Sequence, residues 1–280
     1  MARIVMLGGD GRSRELYTII RREHPEHEVV SHGLWEKEAD VDFAKGAELC
    51  ILPFPSFRGD PPRTPMMQGM LGYTLEELGL LLNPGTLVAA GLQKSQAKAC
   101  AAYPQLRWVN LMERESYQLR NAALTAEGAA ALVSLASGTA LWGSRVLLAG
   151  YGRIGRYLAG ILRAFQAHVT VIARRESVRE EVRQDGWDAI AVEEIPDGIA
   201  QADVVINTVP YPIFTPEHLK RMSRGARYVE LASPPYGTDP ARAKELGVSY
   251  AAYPGIPGVQ YPRSAAQILY DELRGLIQSL

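Results

Sequence analysis

The chain has 280 residues, 47% of them hydrophobic and 22% charged, which is ordinary for a globular protein and long enough to bury a sizeable core in one large or two ordinary domains. A net charge of −1 offers no basic surplus for nucleic acid or an anionic membrane, and no apolar run approaches the length of a membrane span. Two cysteines far apart, Cys50 and Cys100, exclude a disulfide framework or a zinc spacing and fit a reducing cytosol, and "MARIVMLGG" is too short an apolar run for a signal segment.

In chain order, "RIVMLGG" (3–9) reads as a buried strand and Ser13 to Arg22 as a helix. "HEVVSHG" (27–33) and "ELCILPFP" (48–55) read as further strands. The Pro- and Gly-rich segment 56–72 is a loop, either a lid or an insertion. A helix near 74–82, a strand at 86–91, a helix near 95–103 and a strand at 106–112 follow. The Ala- and Leu-rich stretch 122–138 predicts a long linker helix, with Thr125 as its N-cap and Gly138 as its stop. Strands near 145–150, 168–173, 203–208, 226–231 and 248–252 come next. From Ala265, the spacing of Leu269, Leu273, Leu276 and Leu280 predicts an amphipathic helix.

Strands alternating with helices predict an α/β fold: two Rossmann-like domains with parallel sheets, joined by the linker helix. The expected boundaries are 1–121 for a Rossmann- or flavodoxin-like substrate-side domain and 122–264 for a dinucleotide-binding domain. Residues 265–280 form a C-terminal helix returning to domain one or packing on another protomer.

Gly150-Tyr151-Gly152-Arg153-Ile154-Gly155 is a G-x-G-x-x-G turn between a strand and a helix pattern. The first glycine makes the tight turn, the second lets backbone approach a pyrophosphate, and the third lets helix and strand pack closely. The phosphates then meet unpaired N–H groups at a helix N-terminus. The residue that would hold a ribose 2′-hydroxyl lies about 20 residues on, at the end of the next strand. Arg174 and Arg175 stand there instead of an acid, and two guanidinium groups suit a 2′-phosphate, so the expected cofactor is NADP(H). Asn207, Thr208, Val209 and Pro210 end one later strand, and Leu231, Ala232 and Ser233 end the next. At carboxyl ends of strands they should border the nicotinamide.

Domain one carries a second glycine turn, Gly8-Gly9-Asp10-Gly11-Arg12, either an anion site or a turn of simple backbone necessity. No histidine follows His218, which argues against the hydroxy-acid dehydrogenase class and its late acid–base histidine. His24, His27 and His32 read as surface histidines rather than metal ligands, and no metal is expected. Glu113, Glu115, Tyr117 and Glu127 are the candidate acid–base groups, with Glu113 and Tyr117 preferred.

"GGDGR" (8–12), "GYGRIG" (150–155), "VINTVPYPIF" (205–214) with "ELASPPYGTD" (230–239), and "YPGIPGVQYPRSAAQIL" (253–269) carry a family resemblance. Together they resemble the NADP-binding, oxidoreductase-like component of dipicolinate synthase from spore-forming bacteria, in order and spacing, over essentially the whole chain. The last two blocks are the specific ones. The resemblance implies conversion of 4-hydroxy-tetrahydrodipicolinate, a cyclic dicarboxylate, to dipicolinate by loss of water and two hydrogens. NADP would take the hydride, and the flavoprotein-like second component of dipicolinate synthase would be the partner. It implies a cytoplasmic setting in the mother cell of a sporulating bacterium. It places Gly255, Pro257, Gly258 and the Gly9–Asp10–Arg12 turn on the substrate side, where Arg12, Arg14, Arg114 and Arg263 are the basic groups for carboxylates. A homodimer through the terminal helix is the expected assembly. Two other readings share the scaffold: an NADP oxidoreductase of another cyclic imino or amino acid, and a nucleotide-binding component without chemistry of its own.

Overall fold

The computed structural model describes residues 1–35, 43–67, 70–136 and 140–280. In chain order the elements are β1 (Arg3–Leu7), α1 (Gly11–Glu23), β2 (Glu28–His32), β3 (Leu49–Ile51), α2 (Leu75–Leu81), β4 (Leu87–Ala90), α3 (Lys94–Cys100), β5 (Arg107–Asn110) and α4 (Glu115–Ala136). Then come β6 (Arg145–Ala149), α5 (Arg153–Ala164), β7 (His168–Ile172), α6 (Glu176–Gln184), β8 (Asp188–Ile190), α7 (Ile195–Gln201) and β9 (Val204–Asn207). The chain ends with α8 (Pro216–Lys220), β10 (Arg227–Glu230), α9 (Pro240–Glu245), β11 (Ser249–Ala252), α10 (Ile256–Gln260) and α11 (Pro262–Gln278). None of the described helices is long and apolar enough to cross a membrane.

The described strands form two sheets, both parallel throughout, as the strand–helix alternation predicts. The chain divides into two compact units: Met1–Asn121 with Pro257–Leu280, and Ala122–Ile256. Pro257 to Ser264 thus join the first unit, whereas the sequence reading carried the second domain to 264.

The first unit's sheet runs β2-β1-β3-β4-β5, a flavodoxin-like order. Val5, Leu7, Cys50, Leu52, Val88 and Ala90 build its core. Helix α11 packs along α1. Its buried face is Ala265, Ala266, Leu269, Tyr270, Leu273 and Ile277. Leu276 and Leu280, assigned to that face from sequence, fall at its margin: both are half-buried. The edge of α11 is tied down by Ser116 Oγ donating to Glu272 at 2.6 Å and by an Arg120–Asp271 pair at 2.6 Å.

The second unit's sheet runs β11-β10-β9-β6-β7-β8, the doubly wound dinucleotide-binding order. Both faces are covered, so its strands read as near-continuous apolar runs. Val146, Leu148, Val169, Val171 and Ile206 face α4 and α5. Leu147, Ala149, Ile172, Val205 and Tyr228 face the opposite layer, with Ile195, Ile199 and Leu219 from α7 and α8. Ala126, Ala129 and Ala130 of α4 are buried in the first of these clusters, and their small side chains let the helix lie close to the sheet.

One helix-boundary expectation changes. Helix α4 begins at Glu115, so Thr125 is a buried interior residue and not an N-cap. Nothing between Glu115 and Thr125 breaks a helix, so the apolar patterning of the later stretch marked only its packed half. Gly138, the expected stop, lies outside the described residues. Strand β8 was not anticipated, because three residues beginning with an aspartate carry too little periodicity.

Candidate functional site

Strand register places the dinucleotide fingerprint. Ala149, Ile172, Asn207 and Glu230 form one row across β6, β7, β9 and β10, at the carboxyl edge of the sheet. The residues just past that row are Gly150–Gly155, Ala173–Arg175, Thr208–Pro210 and Leu231–Ser233. The sequence-predicted cofactor residues therefore meet at one edge of one unit. Strand order reverses between β6 and β9, which is the switch point where open α/β sheets bind ligands.

The three glycines differ in what they need. Gly150 has φ +96° and donates its N–H to Ile172 O at 3.0 Å. A Cβ at Gly155 would lie 2.3 Å from the Gly150 carbonyl oxygen, so this glycine is required for packing. A Cβ at Gly152 would meet nothing within 4 Å. Gly152 is also the N-cap of α5 and offers no side-chain cap to its first N–H groups. Open space before an uncapped helix N-terminus fits a pyrophosphate.

The other residues of the motif divide by role. Tyr151 turns inward: its hydroxyl donates to Asp185 at 2.7 Å and Arg156 lies over its ring at 4.6 Å. Its side chain is buried between these two groups, and burial pushes its hydroxyl pKa up to about 12. Arg153 is exposed at the first position of α5, and Ile154 is half-buried. Arg174 and Arg175 are exposed, and among the described residues their side chains have no hydrogen-bond or ion-pair partner. A third arginine, which the sequence did not single out, holds that corner. Arg179 donates to the carbonyls of Ala173 at 2.7 Å and Arg174 at 2.9 Å, and pairs with Glu176. Glu176, the first acid after Arg174 and Arg175, is also bound by Arg183 at 2.9 Å.

Asn207 is fully buried and does not face outward. Its Nδ2 donates to Val209 O at 2.9 Å and to Glu230 at 2.7 Å, and its Oδ1 accepts from Val209 N–H at 3.1 Å. Thr208 Oγ donates to Ala149 O at 2.8 Å, beside the fingerprint turn. Val209, Leu231 and Ala232 are half-buried, while Pro210 and Ser233 are exposed at the edge. Glu230 is 1% exposed and was missed by sequence reasoning, since an acid ending a strand reads as solvated. Burial raises its pKa, opposed by hydrogen bonds from Gly237, Asn207, Ala232 and Tyr228.

In the first unit, the Gly8–Arg12 turn is largely satisfied by its own chain. Gly8 N–H donates to His32 O and Gly9 N–H to Pro65 O, both at 2.7 Å. Asp10 caps α1 by accepting from Arg12 N–H at 3.0 Å. Arg12, expected to meet a substrate carboxylate directly, is 6% exposed, and its guanidinium is held by Asp10 at 3.0 Å and by the Phe54 carbonyl. An arginine whose donors are already committed inside the fold positions Asp10 instead. Gly258 packs on this pair: a Cβ there would lie 2.3 Å from Asp10 Oδ2. Pro257 lies in the same unit and is buried, whereas Gly255 is exposed and belongs to the second unit, with φ +69°.

Tyr117 is 3% exposed against the Phe54 ring and beside Arg12, and burial raises its pKa. It belongs to the packing around Arg12. Glu113 is exposed just past β5 and accepts from Asn110 Nδ2 at 3.1 Å. Their surroundings differ, and no contact described for either one joins them as an acid–base pair.

The histidines are not the surface groups expected. His24 is buried, its Nε2 3.2 Å from Tyr270 Oη and its Nδ1 3.3 Å from Glu26. His27 Nδ1 accepts from Ala2 N–H at 3.2 Å, which puts the ring proton on Nε2, facing Glu26 at 3.6 Å. His24, Glu26 and His27 have metal-like spacing. However, His27 presents an N–H there and not a lone pair, so the group is a hydrogen-bonded cluster. His32 stacks on Phe43 at 4.1 Å.

Residues 114–234 match the family model described as the NAD binding domain of D-isomer specific 2-hydroxyacid dehydrogenase. One of the named subunits of dipicolinate synthase, that of Bacillus subtilis (strain 168), is 25% identical, over 99% of this chain and 96% of its own. The crystal structure of the same component of dipicolinate synthase from Bacillus halodurans has a TM-score of 0.84 at 25% identity, covering 98% of this chain and 97% of that one. The apo-structure of D-lactate dehydrogenase from Escherichia coli, at TM-score 0.65 and 13% identity over 99% of this chain and 97% of that one, shares the fold. The resemblance read from the motifs is borne out: the chain is similar to this dipicolinate synthase component along its whole length. It carries a dehydrogenase-type nucleotide-binding domain, which supports a nicotinamide dinucleotide cofactor and an oxidoreductase-like role.

Proposed function

We propose that this protein is an NADP-dependent oxidoreductase that forms dipicolinate from 4-hydroxy-tetrahydrodipicolinate, working with a second, different chain. The end-to-end likeness to a component of dipicolinate synthase carries the reading. That relative is named as one subunit of its enzyme, which supports the partner. In this reading the ring loses water, then a hydride and a proton, and becomes aromatic. The nicotinamide ring, when bound, supplies the hydride acceptor.

The chain's own residues have defined tasks. The uncapped N-terminus of α5 and the Gly150–Gly155 backbone receive the pyrophosphate. Arg174 and Arg175, exposed and, among the described residues, without internal partners, receive the 2′-phosphate. Thr208 to Pro210 and Leu231 to Ser233 border the nicotinamide. Gly9, Asp10 and Gly258 form the substrate side of the first unit, with Asp10 held in place by Arg12. Glu113, exposed at the carboxyl edge of the first sheet, is the base for water loss. Unchanged turnover of Glu113→Gln removes it from that role.

The test of the cofactor assignment is titration of NADPH and NADH into the purified chain and into Arg174→Ala/Arg175→Ala. A clear NADPH preference that the double variant abolishes is expected. Equal binding of the two nucleotides by the native chain overturns it. Turnover of the cyclic dicarboxylate with NADP, with and without a co-expressed partner chain, tests the reaction. Hydride transfer only to a pyrroline carboxylate would replace the substrate assignment. Nucleotide binding with no hydride transfer in the complete complex would make this chain a non-catalytic component.

A further inference from the structure

Glu230 is a carboxylate in a place where a strand of a doubly covered sheet normally carries an apolar residue. Tyr228 and Glu230 point to the same face of β10, and both are sealed from solvent. A buried carboxylate is costly unless donors replace its lost water. Four groups aim at this one. Asn207 Nδ2 donates at 2.7 Å, Ala232 N–H at 2.9 Å, Gly237 N–H at 2.9 Å and Tyr228 Oη at 3.3 Å. An ionised carboxylate accepts only and has about four lone-pair sites, so these four donors fill it.

The donors come from separate parts of the chain. Asn207 ends β9 and, through its own amide, also clamps Val209. Ala232 and Gly237 both lie in the connection between β10 and α9. Gly237 O in turn accepts from Ile213 N–H at 3.0 Å and Phe214 N–H at 2.9 Å. The closure is tight: a Cβ at Gly237 would lie 2.5 Å from both Asn207 Nδ2 and Tyr228 Oη. One carboxylate thus joins segments 207–209, 213–214 and 231–237, immediately past the switch point. The corner at Arg174 and Arg175 has its own supports, Arg179 and Glu176, and the fingerprint turn is held by Ile172 O as well as by Thr208, so Glu230 reaches the turn only through Thr208.

We propose that Glu230 is a positioning residue for the nicotinamide half of the bound dinucleotide. Its carboxylate sets the backbone of 207–210 and 231–233 without touching cofactor or substrate, while the adenosine half meets the Arg174–Arg175 corner, which Arg179 and Glu176 hold apart from it. This rests on the cofactor reading above. An amide in its place puts an N–H₂ group against N–H donors, so at least one of the loops must move.

The experiment measures binding of NADPH and of 2′,5′-ADP, which carries only the adenosine half, to the native chain, Glu230→Gln and Glu230→Asp. The expected result is about a ten-fold loss of NADPH affinity in Glu230→Gln, equivalent to one or two misplaced hydrogen bonds, with 2′,5′-ADP bound within about two-fold of native. Glu230→Asp, which keeps the charge on a shorter arm, should show the same differential at smaller size. In turnover, kcat should fall more than KM for substrate rises. Equal weakening of both probes would overturn the inference and leave Glu230 a general stability residue, as would unchanged binding of both. Failure of the native chain to bind either probe would instead remove the cofactor reading, and this inference with it.

Discussion

Gly152 and Gly155 stand three residues apart in one motif, and the structure assigns them opposite sensitivities. An alanine Cβ at 155 would sit 2.3 Å from the Gly150 carbonyl oxygen, where about 3.4 Å is ordinary contact. The neighbour is backbone at the start of a helix, so the turn or α5 must shift by roughly 1 Å. Overpacking of that kind costs about 1–3 kcal/mol, offset by up to about 1 kcal/mol from replacing glycine inside a helix. A net loss of about 1–2 kcal/mol lowers Tm by roughly 2–8 °C for a unit of this size. An alanine at 152 meets open space, and its φ of −79° is allowed for any residue. Its stability change should stay within about 0.5 kcal/mol. The added methyl instead occupies the approach of a pyrophosphate, so nucleotide affinity should fall at least about ten-fold, the equivalent of roughly 1.4 kcal/mol. Thermal melts without ligand and nucleotide titrations on both variants separate the two effects. A Gly152→Ala variant that binds nucleotide like the native chain would refute the placement of the phosphates. A Gly155→Ala variant as stable as native would refute the packing argument.

Three further outcomes follow from particular contacts. Arg12→Met should destabilise the first unit by about 2–3 kcal/mol in denaturant melts, because it leaves Asp10 and the Phe54 carbonyl without their buried partner. A change below about 0.5 kcal/mol, within the range of an ordinary surface substitution, would free Arg12 for a ligand role. Glu230 has its pKa raised by burial above the ordinary 4.5, so the folded state holds its proton more tightly than the unfolded state. Its stabilising contribution is therefore complete at low pH and is lost as pH rises through the folded pKa. Native minus Glu230→Gln stability should fall as pH rises from about 4.5 towards neutrality, and a difference that grows with pH would contradict this. Cys50 and Cys100 are buried, with thiol pKa values pushed up to about 12 and about 11, so neither should react with a thiol reagent at neutral pH until the chain unfolds. Rapid labelling of the native chain, followed by mass spectrometry, would contradict that burial.

The fold class was legible because parallel sheets covered on both faces leave a strong trace: short apolar runs such as "RVLLA" and "DVVIN", each separated by a helical period. The gathering of these strand ends at one edge was legible too. Gly150 and Gly155 each answer a local geometric demand, and strand ends in a doubly wound sheet share one edge by topology. The whole-chain resemblance came from glycine- and proline-rich blocks, where residue type is tied to a backbone shape.

What tertiary structure alone decided is where polar side chains spend their hydrogen bonds. Arg12 in the sequence is a free cation; in the fold it is consumed by Asp10 and the Phe54 carbonyl, groups two and forty-two positions away. Tyr151 belongs to the fingerprint by position but to Asp185 by contact. Glu230 carries no local sign of burial, because its four donors come together only when β9, β10 and the following connection close on one another. His24 is committed by Tyr270, which lies 246 positions later. Periodicity and turn chemistry are properties of neighbours along the chain, so sequence determines them. Satisfaction of a polar group depends on neighbours in space, so only the folded chain does.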